Sequence, residues 1–410
     1  MSFKFFILAV KNLALHKRRS FLTGSVMVIS VAAIIFAAAM GEAFYHQLVN
    51  VGIMTTTGHI QVFPRGWDFD ITSPMSGDIP KLSNSSEIEK IIAEAPHFKA
   101  QGREILYQVL LYDRSDAFYY AVMVGVEAQK ISQTLPGLKL LKGAAVSKNI
   151  RDGVFISHNM ARYFNPSAND MMYMITRSPG GMMEGVKAGY KGVVKSMPLF
   201  ADHVAFVSLG KMQELLGWRH DDCTIIKVML TDKDKADEGA QWLRKKFKES
   251  GLNLEVSTWK DLGGFYYHIA LLGRILVFFL LLILAAVTAI SVSNTMLMSV
   301  KERTREIGTM MAMGLKKGGV IGLFLLESFS LSLIATVAGV ILGCAVTLWF
   351  QHRGLLEGLA LVLEGRLHPL LGIYPVLISF FWILCIGTGG GLFPAHKAAN
   401  LDPIAALRYV

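Results

Sequence analysis

Four long apolar runs divide the chain, at residues 21–44, 269–298, 319–350 and 371–393. Each reaches the roughly 20 residues that a helix needs to cross the hydrocarbon core of a bilayer. The second and third exceed that length, which predicts tilt or extension beyond the bilayer. Between the first and second runs the pattern changes. Gly58–Phe63 alternates like a strand, and Ser85–Ala95, with Ser at the N-cap and Glu87, Ile88, Ile91 and Ile92 following, predicts a short helix. Ile105–Tyr112 and Ala117–Val126 flank the turn residues Asp113-Arg114-Ser115-Asp116 as a hairpin. Gly153–Ile156 leads into a helix, and Val204–Val207 precedes a helix at Lys211–Leu216. Thr224–Leu230, Asp234–Glu249 and Leu252–Val256 form a β-α-β pattern, and the glycine-rich Ser178–Lys195 reads as a mobile loop. Residues 45–268 therefore predict a mixed α/β domain, long enough for one core with a second lobe.

Two segments at the borders of these runs carry amphipathic patterns. In the leader, residues 1–20, Phe3, Phe6, Ile7, Val10 and Ala14 share a face opposite Lys4 and Lys11. Lys17-Arg18-Arg19 and Ala37-Ala38-Ala39 offer a rival reading as a cleaved signal peptide. The apolar run, however, exceeds the usual 7–15 residues of such a segment, so it is read as an uncleaved span behind an interfacial helix. In the connection 299–318, Val300–Met313 is a helix-former without proline. Val300, Ile307, Met310, Met311 and Gly314 fall roughly on one face, with Lys301, Glu302, Arg305 and Lys316 elsewhere. Such a helix would lie along the bilayer surface, end at Gly314, and expose Glu302, Arg303, Arg305 and Glu306 to a soluble partner. Spacing alone leaves a solvated charged turn equally open.

Charge sets the topology. The leader, the connection and the tail after Phe393 carry twelve Lys and Arg against Glu302, Glu306 and Asp402, which accounts for nine of the net charge of +10. The basic character is thus a positive-inside signal, and nucleic-acid binding is not needed to explain it. Both termini are expected in the cytoplasm, with 45–268 and the short loop 351–370 outside. A chain that is 52% hydrophobic and 18% charged is too apolar for a soluble protein. Cys223, Cys344 and Cys385 show no paired spacing, so neither a disulfide framework nor a metal cluster is indicated. No GxxxxGK[ST], HExxH, CxxC or GxSxG occurs, and Asp202-His203 and His158 are isolated, so no catalytic, cofactor or metal residues are assigned. Glu327 is an acid within a span; it reads either as a gating contact or as a near-interface acid paired with a cation of the connection. Arg274 is read as snorkelling. Gly339 and Gly343, with Gly387, Gly389, Gly390 and Gly391, mark close helix contacts, and Ser291, Ser293, Asn294 and Thr295 a polar packing run.

The run from Asn294 to Gly343 resembles the signature of FtsX-like ABC transporter permeases of the MacB and lipoprotein-releasing (LolC/LolE) type. The resemblance rests on Asn294, Ser299, Glu302, Arg303, Arg305, Glu306, Ile307, Gly308, Ala312, Gly314, Glu327 and Gly339. The tail Pro394–Arg408 and the leader's Lys11-Asn12-Leu13, Lys17-Arg18-Arg19 and Leu22-Thr23 are similar to the same family's termini. The resemblance implies an α-helical inner-membrane protein with four transmembrane helices, one plus three, and a large mixed α/β periplasmic domain inserted between helices 1 and 2. It implies a non-catalytic subunit of a type VII, mechanotransmission transporter. Its partners would be a separate cytoplasmic ABC ATPase dimer, which binds ATP and Mg, a second permease subunit, and a periplasmic lipoprotein carrier or adaptor. Glu302, Arg303, Arg305 and Glu306 would meet the ATPase, with Gly308 and Gly314 setting the helix ends. Cargo in lipoprotein-releasing relatives enters between the first two spans, which points to Met40, Phe44, Leu48, Phe265, Tyr266 and Leu272 here. Release of lipoproteins or similar lipidated cargo from the outer leaflet is the expected activity. MacB-like efflux of drugs or peptides, and FtsX-like signalling to a periplasmic hydrolase, are the alternatives.

Overall fold

The computed structural model describes residues 17–67, 80–112, 118–143, 150–151, 153–168, 170–177, 182–195, 203–262, 264–354 and 367–407. In chain order its main elements are α1 (Lys17–Gly52), β1 (Ile60–Pro64), α2 (Ser85–Ala93), β2 (Phe98–Tyr112), β3 (Phe118–Val126), β4 (Leu140–Gly143), β5 (Gly153–Ser157) and α3 (His158–Phe164). There follow β6 (Met171–Arg177), β7 (Met183–Val194), β8 (Val204–Ser208), α4 (Leu209–Leu216), β9 (Ile225–Leu230), α5 (Ala236–Glu249) and β10 (Leu254–Thr258). The chain ends in helices: α6 (Gly264–Glu302), α7 (Thr304–Ala312), α8 (Lys317–Arg353), α9 (Ile373–Gly390), α10 (Leu392–Ala399) and α11 (Pro403–Leu407). The leader before Lys17, the hairpin turn 113–117 and most of the loop 351–370 lie outside the described residues.

Two compact units emerge, one built from the helices up to Gln47 and from Ile269 onward, the other running Leu48–His268. The second is a mixed sheet in the order β10-β1-β9-β2-β3-β8-β5-β7-β4, with β6 joined to both β2 and β7. The pairings β2-β3-β8-β5-β7-β6-β2 therefore close on themselves, while β10, β1 and β9 extend the sheet from β2. The β9-α5-β10 unit is present, with β1 inserted antiparallel between its strands. Burial drives both parts: every residue of β9 is buried, and Val122, Val124, Phe155, Val194 and Phe206 pack together under the closed strands. Within the sheet Lys227 on β9 and Glu104 on β2 form a buried pair, Nζ to Oε1 2.7 Å. Burial pushes the Glu104 carboxyl up, and Lys227 opposes that shift.

Two local expectations are corrected. Met183–Val194 is a strand, paired with β6 over Met183–Gly189 and with β5 and β4 beyond, and not a mobile loop. Gly192 serves close approach, since a Cβ there would run into the Lys142 carbonyl oxygen on β4. The N-cap of α2 is Asn84, in the left-handed region at φ 57°, and not Ser85, whose hydroxyl donates to Asp221 instead.

Among the described residues four helices are long and apolar enough to cross a membrane: Ser20–Thr57, His268–Glu302, Lys317–Arg353 and Ile373–Ala399. The 36 residues of α1 span about 54 Å at 1.5 Å per residue, so the first span, like the second and third, outruns the hydrocarbon core. Small residues set the packing, as the glycine pattern predicts, and do so within one chain. A Cβ at Gly339 would stand 2.6 Å from Val31 Cβ, and one at Gly343 3.0 Å from Ala32 Cα, so α8 lies against α1. Gly387 and Gly391 meet Ser332 and Ser328 of α8, Gly390 meets Ala289 of α6, and Gly389 meets nothing within 4 Å.

Candidate functional site

The connection between α6 and α8 is a jointed helix. The long helix α6 runs on through Val300 to Glu302 and breaks at Arg303, whose φ of −110° and ψ of 19° leave the helical region. Thr304 closes the break: its hydroxyl donates to the carbonyls of Val300, 2.9 Å, and Lys301, 3.0 Å, two of the acceptors that a helix end leaves unpaired. The connector helix α7 then runs only from Thr304 to Ala312, so Val300 belongs to the span and not, as expected, to the connector. Its end is a Schellman motif at Gly314, φ 100°: Gly314 N–H donates to Met311 O and Leu315 N–H to Met310 O, both at 3.0 Å. Gly314 thus sets a helix end as the resemblance implies.

Gly308 does not set an end. It lies in the middle of α7, where a Cβ would stand 2.7 Å from Ala406 Cβ of α11, so glycine lets the tail helix press against the connector. The apolar face of α7 is likewise covered by protein and not by bilayer. Ile307 is fully buried in a cluster with Val300, Val320, Phe324, Ala395 and Ala398, and Met310, Met311 and Leu315 pack on it. On the opposite side Glu302, Arg305 and Glu306 are exposed, Glu306 by 66% of its side chain. Beside them a cavity of about 230 Å³ is lined by Leu297, Val300, Lys301, Thr304, Lys397 and Asp402. The geometry suits a docking ledge, with one face fixed to the spans and a charged face presented outward.

Arg303 faces inward. Its Nε donates to Glu306 Oε2 at 2.9 Å and its Nη1 to Glu327 Oε2 at 3.3 Å. Of the two readings of Glu327, the paired acid is the one realised.

The residues suggested for the seam between the first two spans divide. Phe44 packs on Gly273, where a Cβ would stand 3.5 Å from the ring; Met40 is half-buried, Leu272 exposed, and Leu48 fully buried, so Leu48 presents no surface. The side chains of Phe265 and Tyr266 lie outside the described residues. The structure adds a polar clasp at this seam. Arg274 on α6 donates to Glu42 on α1 at 3.1 Å and lies over the Tyr45 ring at 3.7 Å, and Glu42 also meets His46 at 3.0 Å. Arg274 is therefore a cross-helix contact and not simply a snorkelling residue. No sequence periodicity joins positions so far apart; the signal available was an arginine and a glutamate at the outer ends of two apolar runs. Toward the other end Thr23 of α1 and Thr295 of α6 share a hydrogen bond, which gives the polar run its packing role. Among the described residues no His, Cys, Asp and Glu group could hold a metal.

Residues 278–403 match the family described as FtsX-like permease C-terminal. Over 121 residues the chain is 40% identical to the macrolide export ATP-binding/permease protein MacB 1 of Aeromonas hydrophila, covering 30% of this chain and 17% of that protein. It is 23% identical to MacB of Neisseria meningitidis over 98% of this chain, spanning 60% of that relative's length. Among solved structures it is similar to the periplasmic region of MacB from Actinobacillus actinomycetemcomitans, with 11% identity and a TM-score of 0.36, covering 52% of this chain and 94% of that one. The extracellular domain of the transporter YknZ from Gram-positive bacteria matches at 13% identity and a TM-score of 0.35, covering 49% of this chain and 100% of that one.

Proposed function

We propose that this chain, which belongs to the FtsX-like permeases of the MacB type, couples a cytoplasmic ABC ATPase to movement of the outer α/β unit. The observation that carries this reading is the connector itself. α7 is braced by the spans and the tail on one face and offers Arg305 and Glu306 on the other, beside Glu302 at the end of α6. The 410 residues contain no phosphate-binding loop, so ATP binds elsewhere. On this reading both termini are cytoplasmic, the permease works as a pair, and ATP-driven displacement of α7 is relayed through the spans. Replacing Glu302 and Glu306 by Lys should strip a co-purifying ATPase from the solubilised permease. ATPase retained at the wild-type ratio, with unchanged turnover, would sink the docking assignment.

For cargo, the seam between α1 and α6 favours a lipidated molecule taken from the outer leaflet. Phe44 and Leu272 give it an apolar lining, and the half-exposed Arg274–Glu42 pair that closes it costs little to open. A second reading, efflux of small molecules, is favoured by the alignment with proteins named for macrolide export, which runs through the outer unit as well as the spans. Release of a fluorescent lipopeptide from the outer face of proteoliposomes, set beside macrolide sensitivity of a deletion strain, separates the two.

A further inference from the structure

Two links of different kind meet where the connector begins, both at Arg303, the residue before Thr304. Toward α6 it meets a joint, since the backbone leaves helical geometry at Arg303. Toward α8 it is held by a charge pair set deep in that helix. Glu327 lies ten residues along α8 from Lys317, about 15 Å at 1.5 Å per residue, and only 6% of its side chain is exposed. Phe324, Ser328 and Leu331, its neighbours on the inward face of α8, are buried as well. Arg303, which reaches it at 3.3 Å, has 12% of its side chain exposed.

Burial decides what this pair can do. An acid within a span is tolerated when it is paired, and removing one partner of a buried pair leaves an uncompensated charge at high cost. The clasp at the outer seam behaves oppositely, because Arg274 and Glu42 are 46% and 37% exposed and can part cheaply. When α7 is displaced, then, Arg303 keeps Glu327 and takes α8 along, while the break at Arg303 lets α6 change its angle.

We propose that Arg303 and Glu327 form the link that makes the connector helix and the third span one mechanical body, with Glu327 as a positioning residue for energy coupling. This rests on α7 being the docking helix. The rival is a pair that merely neutralises Glu327. Spin labels at Thr309→Cys, exposed on α7, and Ile334→Cys, exposed on α8, would report the distance between the two helices, with the exposed Cys385 and the half-buried Cys344 replaced by Ser. The wild type should give one narrow distance distribution, Glu327→Gln a broad one, and the exchanged pair R303E/E327R a narrow one again. With the ATPase co-purified, Glu327→Gln should keep binding but lose permease-dependent turnover by at least about fivefold, the low end of coupling between linked sites. The exchanged pair should regain turnover. Wild-type distances and turnover in Glu327→Gln overturn the proposal. So does a loss of turnover that follows a lowered melting temperature and is not recovered in the exchange. If Glu327→Gln does not fold, the exchanged pair decides: a broad distribution there overturns the link. If no ATPase accompanies even the wild type, the docking assignment fails, and the distance measurement still tests the link by itself.

Discussion

His59, just ahead of β1, shows how a residue's chemistry can stay hidden beside a strand that its neighbours' pattern reveals. In Gly58–Phe63 it reads as one position of an alternating strand. Folding buries it, with its Nδ1 accepting the Leu230 N–H at 2.8 Å and its carbonyl accepting the Trp259 N–H at 3.0 Å. Burial, helped by the charge of Lys99, lowers the imidazole from 6.5 to about 4. Between those values the unfolded chain binds a proton that the folded one refuses. The outer unit should hold its full stability above about pH 6.5, lose it as pH falls through that window, and level off below about 4. At 1.36 kcal/mol per unit the total loss is about 3 kcal/mol. His59→Asn, which keeps an acceptor near Nδ1 but cannot titrate, should flatten thermal stability between pH 7 and 4.5. Parallel slopes for the two proteins would count against this account. The strand was legible because alternation is local; the histidine's state was not, because Leu230 and Trp259 belong to other strands' ends.

The connector helix illustrates the same limit for a whole element. Its existence, its glycine stop and its charged outer face follow from local sequence. The inward turn of Arg303 and the purpose of Gly308 do not, because both depend on partners elsewhere: Glu327 on α8 and Ala406 on α11. The β7 strand was missed for a similar reason, since glycines read locally as freedom but here admit neighbouring strands. Gly308→Ala sets two effects against each other. Alanine favours an exposed helix interior by about 1 kcal/mol, whereas forcing a methyl into a filled space costs about 1–3 kcal/mol. With a Cβ only 2.7 Å from Ala406 Cβ, the steric cost should win and lift α11 from α7. The expected outcome is faster tryptic cleavage after Lys397, which is exposed at the end of α10, and recovery of protection in G308A/A406G. Unchanged cleavage in the single variant would show that the contact does not hold the tail.

At the scale of the molecule, one span, a folded insertion and three spans were readable from the length of apolar runs alone, because a bilayer imposes that length on any helix that crosses it. The contacts among the spans were only half readable. Glycine spacing announced that helices approach closely, but not that Gly339 and Gly343 face α1 while Gly387 and Gly391 face α8. The clasp between α1 and α6 was invisible as a pair; on the proposed topology Arg274 and Glu42 meet at the outer end of the two helices and Thr23 and Thr295 at the inner end. If cargo passes through that outer end, fixing it should separate transport from fuel use. Cysteines at Glu42 and Arg274, joined by a short reducible bifunctional thiol reagent in a background lacking Cys344 and Cys385, should leave the ATPase bound and hydrolysing ATP. Cargo release should stop and return when the link is reduced. Release that continues with the link intact would move the cargo path away from this seam, and loss of ATP turnover along with release would mean that the outer seam must open for the nucleotide cycle itself to proceed.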